Sequence, residues 1–322
     1  MAQHFLLSAK ARTLSIRAIY AAGEAKAYET FRKLRWPQTD GEPVCPHCGG
    51  LDAYAITTRR RFKCKACGKQ FSVTSGTILA SRKMKFVDLL AALCIIANAA
   101  KGISALQLAR DLCCQHKTAF VLAHKIRESL AAETKGISLF GEVEVDGMYN
   151  GGHIRPANLA EKRVDRRLAE HQTGKRRVVI AFRQRKGRTL THVVKHEAEG
   201  VEIAKRVVDR LAVIHADEAS HWDALHAGWK VGRINHSIAY SNGEACTNQA
   251  ESFFSRLRRM IDGKHHSVSP QHLHQYATHA AWMEDHRRLD NGALCHRALG
   301  LALNHKVSRT WKGYWQRERR AA

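Results

Sequence analysis

Apolar residues in the first 135 positions are spaced as in helices. A nearly continuous apolar run covers residues 86–100, and apolar positions over 117–130 fit another helix of similar length. Between them, Ser104 is placed to cap a shorter helix that reaches Leu112. The pattern therefore predicts a mainly helical N-terminal part.

Beyond Gly136 the spacing changes to that of β-strands. Apolar residues alternate with polar ones or cluster as β-branched runs, while residues 198–211 return to helical spacing. Strands followed by a helix and a further strand predict an α/β domain. From Thr247 onward the pattern is again mainly helical. The predicted strands cover 142–148, 177–182, 189–194 and 213–216.

The charge balance of the sequence indicates what kind of partner the protein binds. There are 53 Lys and Arg against 29 Asp and Glu, a formal charge of +24, while 44% hydrophobic residues are typical of a folded protein. A polyanion is the expected partner. Positive charge is concentrated in 41–85, with nine basic and two acidic residues, and in 151–188, with twelve and three. No apolar run reaches the ~18 residues of a membrane span, so we expect an intracellular protein.

Four of the nine cysteines form two Cys-x-x-Cys pairs, Cys45 with Cys48 and Cys64 with Cys67, fifteen residues apart. This spacing is typical of a zinc ribbon with four thiolate ligands, a closed and therefore structural site. Unrelated buried cysteines, or His47 in place of one thiolate, are the alternatives. The basic residues around the pairs, Arg59, Arg60, Arg61, Lys63 and Lys65, predict contact with DNA phosphates, although a solvated basic face would have the same composition.

The three helices before residue 135 fit a helix-turn-helix unit. Its last helix carries polar and basic side chains of the kind that enter the major groove, Lys117, Thr118, His124, Lys125 and Arg127. An ordinary three-helix core domain would show the same pattern, so both interpretations stay open.

Three acidic residues stand at informative places in this basic chain. Asp146 and Asp217 each lie near the end of a predicted strand, and Glu251 lies at the start of a helical stretch. Carboxylates at the ends of neighbouring strands can share a divalent cation, and hard oxygen ligands suit Mg²⁺ or Mn²⁺. Taken singly, each could equally be a helix cap or a surface charge.

These motifs occur in the order found in a known family, and the sequence resembles the ISXO-like bacterial insertion-sequence transposases over roughly residues 25 to 290. The resemblance rests on the cysteine pairs, on Asp146 with Tyr149 and Gly151, on Asp217 with Trp222, and on further matching segments. Those segments are 34–37, 71–77, 102–105, 117–127, 248–251 and 263–273.

The resemblance implies a ribonuclease-H-like DDE catalytic domain, an α/β mixed sheet with flanking helices. Asp146 would be the first catalytic aspartate, Asp217 the second and Glu251 the third acid, with Mg²⁺ or Mn²⁺ as cofactor beside the structural Zn²⁺. Asn248, three residues before Glu251, would reach the same site. Gly147 departs from the family pattern, which often has an acidic residue directly after the first aspartate. Glu142, Glu144 and Glu244 therefore remain rivals as auxiliary ligands.

The implied activity is DNA transposition. The ribbon and the helix-turn-helix unit would bind the terminal inverted repeats, and the cation-dependent site would cut DNA and join the 3′-hydroxyl to a target. Two DNA ends imply a homo-oligomer, and the expected location is the bacterial cytoplasm, at the nucleoid. The alternatives are a domesticated DNA-binding regulator with an idle catalytic domain and a ribonuclease-H-like nuclease. Further DNA contacts are expected from Arg176, Arg177, Arg258, Arg259 and His266.

Together the patterns and the resemblance predict five segments. They are an N-terminal helical lead at 1–40, a zinc ribbon at 41–82, a helix-turn-helix domain at 83–135, the catalytic domain at 136–290 and a basic C-terminal tail at 291–322.

Overall fold

The structure is a computed structural model of the 322-residue chain. It describes residues 5–152, 155–165, 168, 171, 173–234 and 246–321, with side chains up to 317. No helix in these described ranges is long and apolar enough to cross a membrane. The chain forms two compact units, one of residues 1–133 and 286–322 and the other of residues 134–285.

The first unit begins with helix α1 (Ile16–Arg35), which is kinked where Gly23 adopts a positive φ of 76°. It then contains the helices predicted from the apolar spacing: α2 (Phe86–Asn98), α3 (Ala105–Asp111) and α4 (His116–Ala131). The Ser104 hydroxyl accepts a hydrogen bond from the Gln107 N–H at 3.1 Å, which is the predicted cap of α3. The three helices are therefore as predicted, whereas their function as a DNA-binding helix-turn-helix stays a prediction.

A small antiparallel sheet lies between α1 and α2 in the sequence. Its strands are β1 (Ala53–Ile56), β2 (Arg61–Cys64) and β3 (Gln70–Phe71), in that spatial order. Phe62 and Phe71 are paired across β2 and β3 and pack against Trp36 with their rings 5.8 and 6.4 Å away. This aromatic cluster supports a sheet that is otherwise too small for a core of its own.

Residues 291–322, predicted as a basic tail, belong to the first unit. Helix α8 (Asn291–Asn304) buries Cys295, Leu299 and Leu303 and packs against α1, α2 and α4. Helix α9 (Tyr314–Ala321) follows. The apolar face of α8 explains why this segment folds back onto the N-terminal helices. The boundaries predicted at 40, 82 and 135 lie inside or beside this unit and stay predictions.

The second unit is built on a five-stranded mixed sheet with the order β6-β5-β4-β7-β8. Strand β4 is antiparallel to β5 and parallel to β7, β5 is antiparallel to β6, and β7 is parallel to β8. This is the α/β mixed sheet with flanking helices that the resemblance implied. The strands are β4 (Glu142–Asn150), β5 (Arg177–Gln184), β6 (Thr189–Val194), β7 (Val213–Asp217) and β8 (Lys230–Ile234).

Each face of this sheet has its own core. Val143 and Val145 of β4 lie on one face with α5 (Glu199–Val207) and Trp222, while Met148 lies on the other with α6 (Asn248–Met260) and α7 (Leu273–His286). Because side chains alternate along a strand, Glu144 and Asp146 lie on the α6 face. The alternation thus determines which acidic residues can meet Glu251.

Two elements differ from the sequence predictions. Helix α5 ends at Val207 and does not reach Leu211, because the Val207 carbonyl and the Asp209 N–H both hydrogen-bond to Leu139 at 2.8 Å and draw the chain into an extended form. Strand β8 was not predicted, since five residues with Gly232 at the centre carry too little strand signal.

Candidate functional site

The four cysteines of the ribbon converge on one point. Their sulfur atoms all lie within 4.8 Å of one another, with Cys45 Sγ 3.7 Å from Cys67 Sγ and Cys48 Sγ 3.5 Å from Cys64 Sγ. Among the residues that the structure describes, no other group of three or more possible metal ligands is drawn together this tightly.

The backbone around the cysteines explains this convergence. Gly49 and Gly68 follow the second cysteine of each pair with φ of 76° and 70°, and their N–H groups donate to the carbonyls of Cys45 and Cys64 at 2.9 and 3.0 Å. Each pair is thereby folded into a tight turn that only glycine adopts without strain. Four thiolates fit a tetrahedral, structural zinc ion and leave no open position for water. The exposed His47 is not part of this group.

Asp146 and Asp217 lie level with each other on neighbouring parallel strands. Residues 142, 143 and 144 of β4 pair with residues 213, 214 and 215 of β7, and two steps further this register brings Asp146 opposite Asp217. Ile214 and Ala216 point into the α5 core, so Asp217 lies on the same face as Asp146. The predicted pair of carboxylates therefore shares one face of the sheet.

Glu251 approaches this face from helix α6. Phe253 and Leu257 bury the helix against the sheet, and Glu251 stands in its first turn, where the Thr247 hydroxyl lies 3.4 Å from Glu251 Oε1. Asn248 is the exposed first residue of the same helix. Its position three residues before Glu251 leaves the two side chains about one turn apart.

The charges of the neighbouring acids affect the pKa of Asp146. The pKa of Asp146 is raised to about 7, first by burial and then by the negative charges of Asp217, Glu197 and Glu251, in that order. The hydrogen bond of 2.7 Å from the Gly147 N–H to Asp146 Oδ1 acts in the opposite direction. A cluster of oxygen donors that repel one another in this way suits a divalent cation, which would favour the charged forms.

Glu144 has a different role from the auxiliary ligation considered above. Its fully buried carboxylate accepts hydrogen bonds from the N–H groups of Gln249 and Ala250 at 2.8 and 3.0 Å, and from Arg185 at 2.9 Å. It thus binds the N-terminal turn of α6 to β4, where the helix dipole also favours a negative charge. Burial nevertheless raises its pKa.

Glu142 and Glu244 are the other two candidates for auxiliary metal ligation. Glu142 forms ion pairs with Arg185 and with His215, the latter at 3.3 Å. Glu244 lies outside the described residues.

The sequence prediction missed Glu197, which precedes α5. Its side chain is 11% exposed, its Oε1 lies 3.6 Å from His221 Nε2, and its charge is one of those that raise the pKa of Asp146. No strand or spacing pattern distinguishes this residue in the sequence.

The basic residues of the ribbon surround a cleft in the first unit. A cavity of about 450 Å³ is lined by Arg59, Arg60, Arg61 and Arg82 together with hydroxyl side chains, and none of its described lining residues is acidic. Arg60 also forms an ion pair with Glu24 at 2.7 Å. Lys63 and Lys65 are exposed on and after β2, with Lys65 Nζ 5.2 Å from the Tyr54 ring centre.

A second cavity, of about 570 Å³, shares Ala80, Ser81 and Arg82 with the first. Its lining combines the predicted DNA contacts of α4 with aromatic side chains of the C-terminal segment. The ammonium of Lys117 lies 5.3 Å from the centre of the Trp315 ring, and burial lowers the pKa of Lys125. Its cationic and aromatic lining residues are Arg82, Lys83, Lys117, Lys125, Trp311, Lys312, Tyr314 and Trp315.

Two side chains expected on the DNA-facing side of α4 are buried instead. His124 is stacked on Trp311 with 4.2 Å between ring centres, and Arg127 is 3% exposed with its guanidinium 3.5 Å from the Ile103 carbonyl. Both point into the core because they fall on the apolar face of the helix, beside Ala123 and Ile126. Lys117 and Thr118 remain exposed.

The remaining predicted DNA contacts lie in the second unit. The guanidinium of Arg176 lies 4.1 Å from the Tyr149 ring centre, and Arg177 donates to the carbonyls of Gly174 and Arg176 at 2.8 and 2.7 Å. Arg258, Arg259 and His266 are exposed after Glu251. Contact of these five residues with DNA stays a prediction.

Comparison with known families gives two matches. The model of the ISXO2-like transposase domain matches residues 138–285, which include the three acids, and that of the transposase zinc-ribbon domain matches residues 22–70, which include the four cysteines. No curated protein and no solved structure matches the chain.

Proposed function

The chain belongs to the IS1595 family of DDE transposases, and from this premise we propose that it binds the terminal inverted repeats of an insertion sequence and catalyses cation-dependent DNA cleavage and strand transfer. The observation that carries the proposal is the convergence of Asp146, Asp217 and Glu251, from three separate elements, on one face of the mixed sheet.

The donor set fits Mg²⁺ or Mn²⁺. Bound by the three carboxylates, such ions would act as Lewis acids on the phosphodiester and on the attacking and leaving oxygens of an in-line displacement. The chain's own contribution is to hold those carboxylates at a fixed separation. Glu144 does so for the α6 side, because its two backbone hydrogen bonds tie the turn that carries Glu251 to the strand that carries Asp146.

Asn248 is proposed as an orienting residue for the DNA. It is exposed in the first turn of α6, near Glu251, and its amide offers both a donor and an acceptor. The N-terminus of a helix is also a favourable place for a phosphate, since its backbone N–H groups and dipole attract anions.

End recognition is proposed for the first unit. The two cavities that meet at Ala80, Ser81 and Arg82 form a track lined by cationic side chains from the ribbon to α4, with no acid among the described lining residues. Arginines and lysines in such a track would neutralise phosphates. Because two element ends are joined in one reaction, we also propose that the active complex contains at least two copies of the chain.

The test is strand transfer in vitro with DNA ends copied from the inverted repeats beside the gene. With Mg²⁺, the wild type should join pre-cut ends to target DNA, and Asp146→Asn, Asp217→Asn and Glu251→Gln should each lose joining while they still bind the ends. Asp262→Asn, an exposed acid of the same unit, is the matched control. Undiminished joining by Asp146→Asn would overturn the catalytic assignment.

A further inference from the structure

The C-terminal segment, residues 305–317, lies along helix α4. A hydrogen bond of 2.7 Å joins the two elements at one end, stacked rings with centres 4.2 Å apart join them in the middle, and rings 5.8 Å apart join them at the other end. The three pairs are, in order, Ser308 with Glu128, Trp311 with His124 and Trp315 with Phe120. Because the α4 positions are spaced by four residues, they form one stripe. The segment thus covers one side of α4 over about two turns.

This segment is a fixed part of the first unit. At its start, the Ile78 N–H donates a hydrogen bond to the His305 carbonyl at 2.8 Å. Trp311 is 1% exposed, so its ring belongs to the core of the unit. Tyr314 and Trp315, by contrast, are only partly buried and line the second cavity. The segment therefore gives that cavity a wall with two aromatic side chains.

The uncovered side of α4 forms another wall of the second cavity. Thr118, Val121 and Lys125 line it, and all three are exposed or partly exposed. A helix with its side chains is about 10 to 12 Å across, and the major groove of DNA is about 12 Å wide. A helix with a second segment along its side is too broad to enter that groove. Bases therefore reach these side chains only where they have left the duplex.

The lining of the second cavity combines the two kinds of side chain that bind single-stranded DNA, aromatic rings and cations. Its cationic residues are Arg82, Lys83, Lys117, Lys125 and Lys312, and no acid occurs among the lining residues that the structure describes. Burial lowers the pKa of Lys125, an effect that a nearby phosphate would counteract. The volume of about 570 Å³ is typical of a pocket that encloses a small ligand.

We propose that the second cavity binds an unpaired nucleotide of DNA, with its base stacked on Trp315 and its phosphates neutralised by the surrounding lysines. The inference rests on the proposed function, because cleavage at the end of the element creates a cut duplex. The last base pair of such a duplex has a stacking neighbour on one side only, so it opens at lower cost than an internal pair. Stacking on an aromatic ring tolerates any base, so this contact holds the DNA end without reading its sequence.

The test compares two forms of the repeat end by fluorescence anisotropy with the full, zinc-loaded chain. One is a blunt duplex, and the other carries a short unpaired 3′ extension. The wild type should bind the extended end about tenfold more tightly, the size expected for one stacked base. Trp315→Leu keeps an apolar side chain without an aromatic face and should bring the two affinities together, whereas Trp315→Phe should keep most of the preference. The matched control is Tyr54→Leu, which should keep the preference in full, because Tyr54 also lies 5.2 Å from a lysine but lines neither cavity.

A second measurement needs no variant. The fluorescence of 2-aminopurine in the extension should be quenched when the wild type binds, because the base then stacks on a ring. Unchanged fluorescence, equal affinity of the wild type for both ends, or a preference that persists in Trp315→Leu would each overturn the inference.

The same DNA substrates separate this inference from the proposed function. Strand transfer by a wild type that shows no preference for the extension would refute the nucleotide site and leave the proposed function standing. A Trp315-dependent preference that is equal for repeat and unrelated sequences, without any strand transfer, would support the nucleotide site and contradict the proposed function.

Discussion

Replacement of Asp146 by asparagine should stabilise the protein in the absence of divalent cations, and the gain should grow with pH. The asparagine keeps an oxygen that can accept the Gly147 N–H hydrogen bond of 2.7 Å, but it removes a negative charge that those of Asp217, Glu197 and Glu251 repel. If Asp146 is catalytic as proposed, such a destabilising charge is expected, because function and not stability then sets the charge distribution.

The magnitude follows from the pKa of about 7, compared with the ordinary 3.8. A carboxyl whose folded-state pKa is raised contributes stability that is complete below about 4 and is lost as the pH rises through about 7. At 1.36 kcal/mol per pH unit, the wild type should lose about 2 to 3 kcal/mol relative to the variant between pH 5 and pH 8. Since Asp146 is only partly buried, a difference of about 1 to 3 kcal/mol is expected.

Calorimetric melting of the zinc-loaded protein without Mg²⁺, at pH 5 and at pH 8, measures this difference. For a unit of about 150 residues, each kcal/mol moves Tm by about 2 to 4 °C. Asp262→Asn, exposed in the same unit, should show no comparable pH-dependent gain. A gain for Asp146→Asn that is equal at pH 5 and pH 8, or a loss of stability at pH 8, would refute the electrostatic reasoning.

Three further predictions concern other parts of the molecule. Glu144→Ala should cost about 3 to 5 kcal/mol in stability, because it removes the buried partner of Arg185 and of the α6 N–H groups. Glu142→Ala, at a half-exposed ion pair, should cost less than about 1 kcal/mol. Urea unfolding measures both costs, and equal values would contradict the anchoring role of Glu144. Cys64→Ser should release zinc and abolish specific binding of the repeats in a gel-shift assay, and unchanged specificity would show that the ribbon has no part in recognition. Lys117→Ala should lower the slope of log Kd for DNA against log salt concentration by about one. Lys101→Ala, at an exposed lysine that lines neither cavity, should leave the slope unchanged. A wild-type slope in both variants would contradict a phosphate contact by Lys117.

The features that the sequence predicted correctly depend on short stretches of chain. The spacing of the cysteine pairs determines two tight turns, each closed by a glycine with positive φ, so the metal cluster can be identified without knowledge of the fold. The apolar pattern of α2 to α4 and of β4 to β7 was likewise sufficient to locate these elements. The placement of Asp146 and Asp217 on one face required in addition the parallel pairing of β4 with β7, which no local pattern determines.

The features that were missed depend on contacts between distant residues. Glu197 comes near His221 and Gly147 only because β6 and α5 bring the intervening loop beside β4, and no local pattern reports this. Glu144 looks like a possible ligand from its strand position, yet its partners are N–H groups of a helix more than a hundred residues later. The burial of His124 was also unpredictable locally, since it results from the return of Trp311 to α4.

The most direct test of the central claim, that Asp146 binds a catalytic cation, is strand transfer by Asp146→Cys with Mg²⁺ and with Mn²⁺. A thiolate is a poor ligand for Mg²⁺ and a better one for softer ions. Direct coordination predicts no joined product with Mg²⁺ and a clear recovery with Mn²⁺, measured on pre-cut ends with the wild type beside it. Joining with Mg²⁺ at the wild-type rate would contradict the claim.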